Sequence, residues 1–269
     1  MKARIKFQKY ASMKFVGHLD VMRYFQKALR RADYDSEYTK GFSPHQVMSF
    51  AAPLGVGLTS DAEYMDVELI SGDIPEVMIE RLNAVLTEGF NIYDFHLLLE
   101  QEPLRKTVTA MSLVASADYL VSLKDGYTIQ DTIKTQAEFE QAFRKFNDKQ
   151  EIVIGKKTKN SDKVVDIKPM ISLVAFDQAE YEEKLIPLLS NRIATKPDSV
   201  ADVYENGIKL YLQIDTGSSV NLKPELVIEA FCEELGITYE KFAWQMHRLE
   251  IYTRDAETRK LAALNQVER

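Results

Sequence analysis

Within the first hundred residues the spacing of apolar side chains switches between two and three-to-four in a fixed order. Residues 3–10, ARIKFQKY, alternate Arg4 and Lys6 against Ile5 and Phe7, the pattern of a half-buried strand. Residues 19–32 place Met22, Phe25, Leu29 and Ala32 on one side of a helix. Residues 47–51 form a short strand ended by Pro53, and residues 63–70, EYMDVELI, alternate again. A helix over 74–86 carries Pro75 in its first turn, where proline is tolerated, and a strand covers 90–99. The order β-α-β-β-α-β is the ferredoxin-like split unit. An α+β fold is expected, with a first, ferredoxin-like module over residues 1–105.

The junction EQEPLRK at 100–106 is polar and carries a proline, which places a domain boundary there. Residues 106–252 read as a second α+β module, open to being another ferredoxin-like unit. Its strands are expected at 117–123, 151–155, 164–167, 170–176, 209–214 and 242–252, and its two helices at 136–146 and 224–235. The charged run KKTKNSDK reads as a turn, and 181–189 as a helical turn or irregular segment. Residues 253–269 read as a charged helical tail.

The first helix also carries the densest basic cluster. Arg23, Lys27, Arg30 and Arg31 lie at i, i+4, i+7 and i+8, an arc of roughly 100° opposite the apolar side. Residues 1–50 hold ten Lys/Arg against four Asp/Glu, so a chain of net charge −7 is +6 there and −13 elsewhere. The bland reading is a solvated helix face. The functional reading is a local site for an anionic partner, RNA above all.

The loop TKGFSPHQ follows. Gly41 permits a positive φ, and Pro44 holds Ser43 extended. Lys40 and Phe42 beside a glycine turn suit a phosphate and a base, while the structural alternative packs Phe42 into the core. Asp20, Gly41 and Pro44 shape such a site; Arg23, Lys27, Arg30, Arg31, Lys40 and Phe42 would contact RNA. His18 and His45 are the catalytic candidates, each able to serve as a general base toward a 2′-hydroxyl with Arg23 or Lys40 stabilising the phosphorane. His18, Asp20 and His45 could also ligate a metal. A helix-capping His18 and an ion-paired Asp20 are the simpler account, so no metal is assigned.

The stretch GHLDVMRYFQKALRRA followed by YTKGFSPHQVMSFAAPLGVGLTSDAEYMDVEL resembles the radical-SAM-linked family of uncharacterised bacterial proteins. The resemblance rests on Phe7, Lys9, Gly17, His18, Leu19, Asp20, Arg23, Arg30, Arg31, Gly41, Phe42, Pro44, His45, Ser60, Glu63 and Tyr64. Weaker similarity continues through Val165-Asp166-Ile167-Lys168. Members of that family extend, or neighbour, cobalamin-binding radical SAM enzymes, and often stand near ribonuclease and ribosomal protein genes. The resemblance implies an RNA setting, in tRNA or rRNA modification or processing, and a radical SAM enzyme on another chain as partner.

Other features narrow the chemistry. Cys232 is the only cysteine, so the chain can form no internal disulfide and ligate no self-contained iron–sulfur cluster. No phosphate-binding glycine loop, CxxC or HExxH is present, and no cofactor is expected. No apolar run approaches a membrane span and no signal peptide opens the chain, so a cytoplasmic protein without membrane contact is expected. Asp66 and Glu68 share a strand face, Asp166 and Lys168 alternate at a strand end, and Trp244, His96 and His247 read as structural. Two rivals to an RNA-binding accessory protein stand: an interaction module that docks the radical SAM enzyme without touching RNA, and a metal-independent endoribonuclease on ferredoxin-like modules, the latter by fold analogy alone.

Overall fold

A computed structural model of the chain describes residues 1–98, 108–157, 162–191, 196–218 and 220–267. The junction expected at 100–106 and the centre of the KKTKNSDK turn lie outside the described residues. The strands are β1 (Lys2–Lys9), β2 (Asp35–Ser36), β3 (Met48–Phe50), β4 (Thr59–Ser71), β5 (Phe90–Leu98), β6 (Ser116–Leu123), β7 (Val153–Lys157), β8 (Asp162–Asp166), β9 (Ile171–Ala175), β10 (Lys209–Asp215), β11 (Trp244–Arg254) and β12 (Leu261–Ala263). The helices are α1 (His18–Arg31), α2 (Pro75–Asn83), α3 (Ala110–Leu113), α4 (Gln136–Asn147), α5 (Gln178–Leu185) and α6 (Pro224–Glu234). The fold is α+β.

The chain divides into two compact units that are not contiguous in sequence. The first takes Met1–Ala115, Leu189–Ala201 and Arg248–Arg269; the second takes Ser116–Leu188 and Asp202–His247.

In the first unit β1 lies between β4 and β5, antiparallel to both, and β3 pairs antiparallel with β4. One face of this sheet carries Ala3, Ile5, Phe7, Met65, Val67, Ile92 and Phe95, packed with Val21, Phe25, Ala28 and Leu29 of α1 and Met78 and Leu82 of α2. The helices form because their apolar residues recur on one stripe and need that face. Phe7, Phe25, Phe50 and Phe90 meet there with ring centroids 4.9–6.1 Å apart. Burying each such ring contributes about 1.5–3 kcal/mol.

The sheet does not stop at four strands. β4 has 13 residues, and β2 and β3 pair with it only opposite Met65–Ser71. The remaining edge of β4 would leave backbone donors and acceptors unpaired, and β11 takes the place beside it.

Two expectations need correction here. The alternation of β1 suggests a half-buried strand, yet Ala3–Lys9 is buried throughout. Its second face is covered by chain from elsewhere: Ala110 of α3, Ile251 of β11 and Leu264 pack with Ala62 and Tyr64 of β4, and Gln8 donates to the carbonyl of Asp198 at 2.9 Å. The segment after Thr253 is not a helical tail. It forms β12, antiparallel to the end of β11, and a 3-10 turn, with Leu261, Ala263 and Leu264 buried. Its apolar residues stand at two- and three-residue spacing, and the open edge of β11 offers them backbone partners.

The second unit pairs β10 antiparallel with β6 and β9, and β7 with β8 as a hairpin. Among the described residues it holds three helices, α4, α5 and α6, the segment expected as a helical turn or irregular stretch at 181–189 being part of α5 and the turn after it; Asp177 caps α5 by accepting from the Glu180 amide at 2.8 Å. A capping box of Thr135 and Glu138 starts α4. Phe139, Phe143 and Phe146 then face Phe231 with centroids 5.0–5.7 Å apart, and Trp244 is a core residue 5.9 Å from Phe139. Cys232 is buried beside them, its thiol pushed up to about 11 first by burial and then by Glu229 and Glu233.

Candidate nucleic-acid interface

α1 starts at Gly17 in extended backbone, with His18 as its first residue. The imidazole stands edge-on to Phe50, centroids 5.3 Å apart. Burial, and then the Lys9 ammonium nearby, lower the histidine's proton affinity below its ordinary value. Lys9 is itself buried and donates to the carbonyl of Val16 at 3.0 Å. His18 is thus held at the junction of α1 and β3 in surroundings that favour its neutral form.

The basic arc faces solvent along the whole helix. Arg23 pairs with Asp20 at 3.0 Å, both side chains 67% exposed, an arrangement that contributes little. Arg31 is pinned: it donates to the carbonyl of Val85 at 3.0 Å and lies over the Tyr24 ring. Lys27 and Arg30 have no carboxylate partner among the described residues.

β2 and β3 are collinear on the edge of β4, and the chain leaves that edge between them as a hairpin. The Val47 amide donates to Glu37 at 2.8 Å at the root, and Tyr38 bridges to Gln46 above it. Thr39 and His45 close the next rung: the Thr39 amide donates to the His45 carbonyl at 2.9 Å, and the His45 amide to Thr39 Oγ1 at 3.1 Å. His45 Nδ1 also lies 3.1 Å from that hydroxyl. Gly41 sits at φ +122° in open space, as the turn requires. Phe42 is wholly exposed at the tip, not packed into the core, and Lys40 is exposed with no carboxylate partner among the described residues. Pro44 is exposed beside it.

The sequence leads one to expect His18, Asp20, Arg23, Lys40, Phe42 and His45 to converge at one end of the first helix; in the structure they fall into three groups. His18 is at the start of α1, Asp20 and Arg23 pair on its outer face, and Lys40, Phe42 and His45 ride on the hairpin. From Phe50, beside His18, to the hairpin root at Val47 is three strand residues, roughly 10 Å. That is about half the ~21 Å length of α1, so the hairpin root is offset from Phe50 by that distance along the sheet edge. No hydrogen bond or ion pair joins the hairpin's three residues to His18, Asp20 or Arg23 among the described residues. No three His, Cys, Asp or Glu side chains among the described residues are grouped to hold a metal ion. No helix among them is long and apolar enough to cross a membrane.

Several other basic residues of the N-terminal region are paired within the fold. Lys2 pairs with Glu68 at 2.8 Å and Arg4 with Asp66 at 2.7 Å; Asp66 also accepts the Ala110 amide at 2.6 Å. Lys6 meets Glu250 at 2.8 Å, with 2% and 0% of the side chains exposed. Burial alone would push Glu250 up, but Lys196 and Lys6 hold its carboxyl down at about 2. Tyr64 donates to Glu250 at 2.6 Å, and Asn265 donates to Asp94 at 2.6 Å. Arg248 forks onto Glu63 at 2.9 and 3.0 Å. Sequence reasoning missed this network. Its one signal is Glu250 set between Leu249 and Ile251 in the strand.

The remaining singled-out residues have structural work. Asp166 accepts the Ile152 and Lys168 amides at 2.9 and 3.0 Å, and Lys168 donates to the Asn147 carbonyl. His96 lies opposite Arg4 in the strand register, and His247 is buried.

No curated protein matches this chain. The family comparison is positive: residues 2–224 match the model of a family described as an uncharacterized protein conserved in bacteria, DUF2344, and the chain belongs to that family.

Proposed function

We propose that this protein is an RNA-binding accessory factor whose contact surface is the outer face of α1 together with the 38–46 hairpin. The observation that carries the reading is charge without internal compensation: Lys27, Arg30 and Lys40 are exposed and lack a carboxylate partner among the described residues. Lys2, Arg4 and Lys6 on β1 and Arg248 on β11, by contrast, are paired with carboxylates of the fold. The second sheet face of the first unit, which would be an open stacking platform in many RNA-binding sheets, is covered by the protein's own chain. The outer helix face and the hairpin remain. His18 and His45 stand in separate groups, which supports binding rather than acid–base catalysis. The resemblance to the radical-SAM-linked family supplies the setting, presentation of a tRNA or rRNA segment to a radical SAM enzyme on another chain.

Fluorescence anisotropy with labelled RNA between about 50 and 200 mM salt tests this, because phosphate contacts release counterions. The wild type binds with steep salt dependence, and a variant carrying Lys27→Glu, Arg30→Glu and Lys40→Glu loses binding. Unchanged affinity in that variant places the RNA elsewhere. A wild type that ignores RNA at low salt leaves the docking-module reading.

A further inference from the structure

We propose, resting on the RNA reading above, that the RNA is unpaired where it meets this face, and that Phe42 and Phe15 are its base-stacking platforms. Phe42 is fully exposed, a ring held clear of the body at a hairpin tip. The hairpin beneath it is cross-tied at Tyr38–Gln46 and Thr39–His45. Gln46 anchors the base further, donating to Ser36 Oγ at 3.0 Å. Phe42 therefore sits on a braced stalk with both ring faces open.

Phe15 was not marked by sequence as a site residue. It ends the 3-10 turn that precedes α1 and is 68% exposed. The Gly57 amide fixes that turn by donating to the Lys14 carbonyl at 2.7 Å, and the Lys14 ammonium lies 5.7 Å from the Phe15 ring centroid. Leu19, 60% exposed, stands four residues before Arg23 and eight before Lys27. At 100° per residue these three share one stripe of the helix. The stripe thus begins with exposed Leu19, four residues after exposed Phe15, and continues as cations. The second aromatic, Phe42, stands at the tip of the 38–46 hairpin.

That combination of exposed rings and exposed cations is the chemistry of a single strand. Each base offers a π-face to Phe42 or Phe15, and the phosphates between meet Arg23, Lys27 and Arg30. A duplex keeps its base faces inside the stack, and side chains cannot read its deep, narrow major groove, so exposed phenylalanines add nothing to duplex affinity.

Anisotropy on the full chain tests this with a short oligouridylate and an RNA duplex of the same length. Phe42→Leu and Phe15→Leu keep the apolar volume and remove the stacking ring. Each is expected to weaken single-strand binding about tenfold with the salt slope unchanged and duplex binding unmoved. A 2-aminopurine placed in the oligonucleotide should be quenched on binding to the wild type and less so in Phe42→Leu. If both leucine variants bind the single strand like the wild type while the Lys27/Arg30/Lys40 charge reversal abolishes it, the stacking proposal falls and the RNA reading survives. Duplex bound as tightly as single strand overturns the proposal too. A wild type that binds neither overturns both.

Discussion

Lys6 Nζ lies 2.8 Å from Glu250 Oε2 although 244 residues separate them in the chain, and Lys196 reaches the same oxygen at 2.6 Å. One carboxylate neutralises two cations in the interior of the first unit. Removing it strands both, so Glu250→Leu should cost about 3–5 kcal/mol, read as a lower urea midpoint. RNA affinity should be unchanged in whatever fraction folds, because the network faces away from α1.

Acid stability follows from the same group. Glu250 is held near 2 in the folded state against an ordinary value of 4.5. Its folded-state value is depressed, so its contribution is complete above about 4.5 and drains away as pH falls toward 2. Urea titrations at pH 7, 4.5 and 3 should show this loss. Glu250→Gln should be less stable at neutral pH and should flatten the dependence; an identical slope in that variant would assign the acid sensitivity to other carboxylates.

His18 adds a second, milder pH dependence. Burial, then Lys9, favour its neutral form. The folded-state value is below the unfolded one, so stability is full above about 6.5 and declines as pH drops below that. Proton NMR should place the His18 ring titration below that of a model histidine. His18→Gln should remove this part of the decline between pH 7.5 and 5.5.

Arg31 and Lys27 separate anchoring from binding. Arg31 ties α1 to Val85 and covers Tyr24, so Arg31→Ala should destabilise by about 0.5–1.5 kcal/mol. Lys27→Ala should fall within about ±0.5 kcal/mol and act only on RNA affinity. Chemical denaturation beside anisotropy distinguishes them; a stability loss in Lys27→Ala equal to that in Arg31→Ala contradicts the assignment.

The C-terminal segment is structural. Arg4 donates to the Leu264 carbonyl at 2.8 Å, and Tyr64 lies 3.3 Å from Asn265 Oδ1. Ending the chain after Lys260 removes the buried Leu261, Ala263 and Leu264 and bares Arg4. A loss of at least about 3 kcal/mol is expected from the apolar burial alone, seen as a lower thermal midpoint. A truncated chain as stable as the full one would return these residues to the status of a loose tail.

The sequence by itself determined what local spacing controls. The 3.6-residue stripe placed α1 and its buried Phe25 and Leu29, the two-residue alternation placed β1, β4 and β5, and the glycine–proline pair marked a turn at Gly41. Each of those signals lies within about twenty residues and needs no partner to be read. Which cations are available was decided only by tertiary structure. Arg4 and Lys6 are the same residue types as Arg30 and Lys27, and nothing in their neighbourhood tells them apart. Arg4 finds Asp66 62 residues away and Lys6 finds Glu250 244 residues away, because β1 is drawn between other strands and then covered on its second face. A charge taken out of water must find an opposite charge, and the partner is whatever the topology brings beside it. Lys27 and Arg30 on the helix stripe met no such partner among the described residues and stayed in water. The 38–46 hairpin is free for the related reason that β2 and β3 share one edge of β4, so the chain between them has nowhere to pack and carries Phe42 outward.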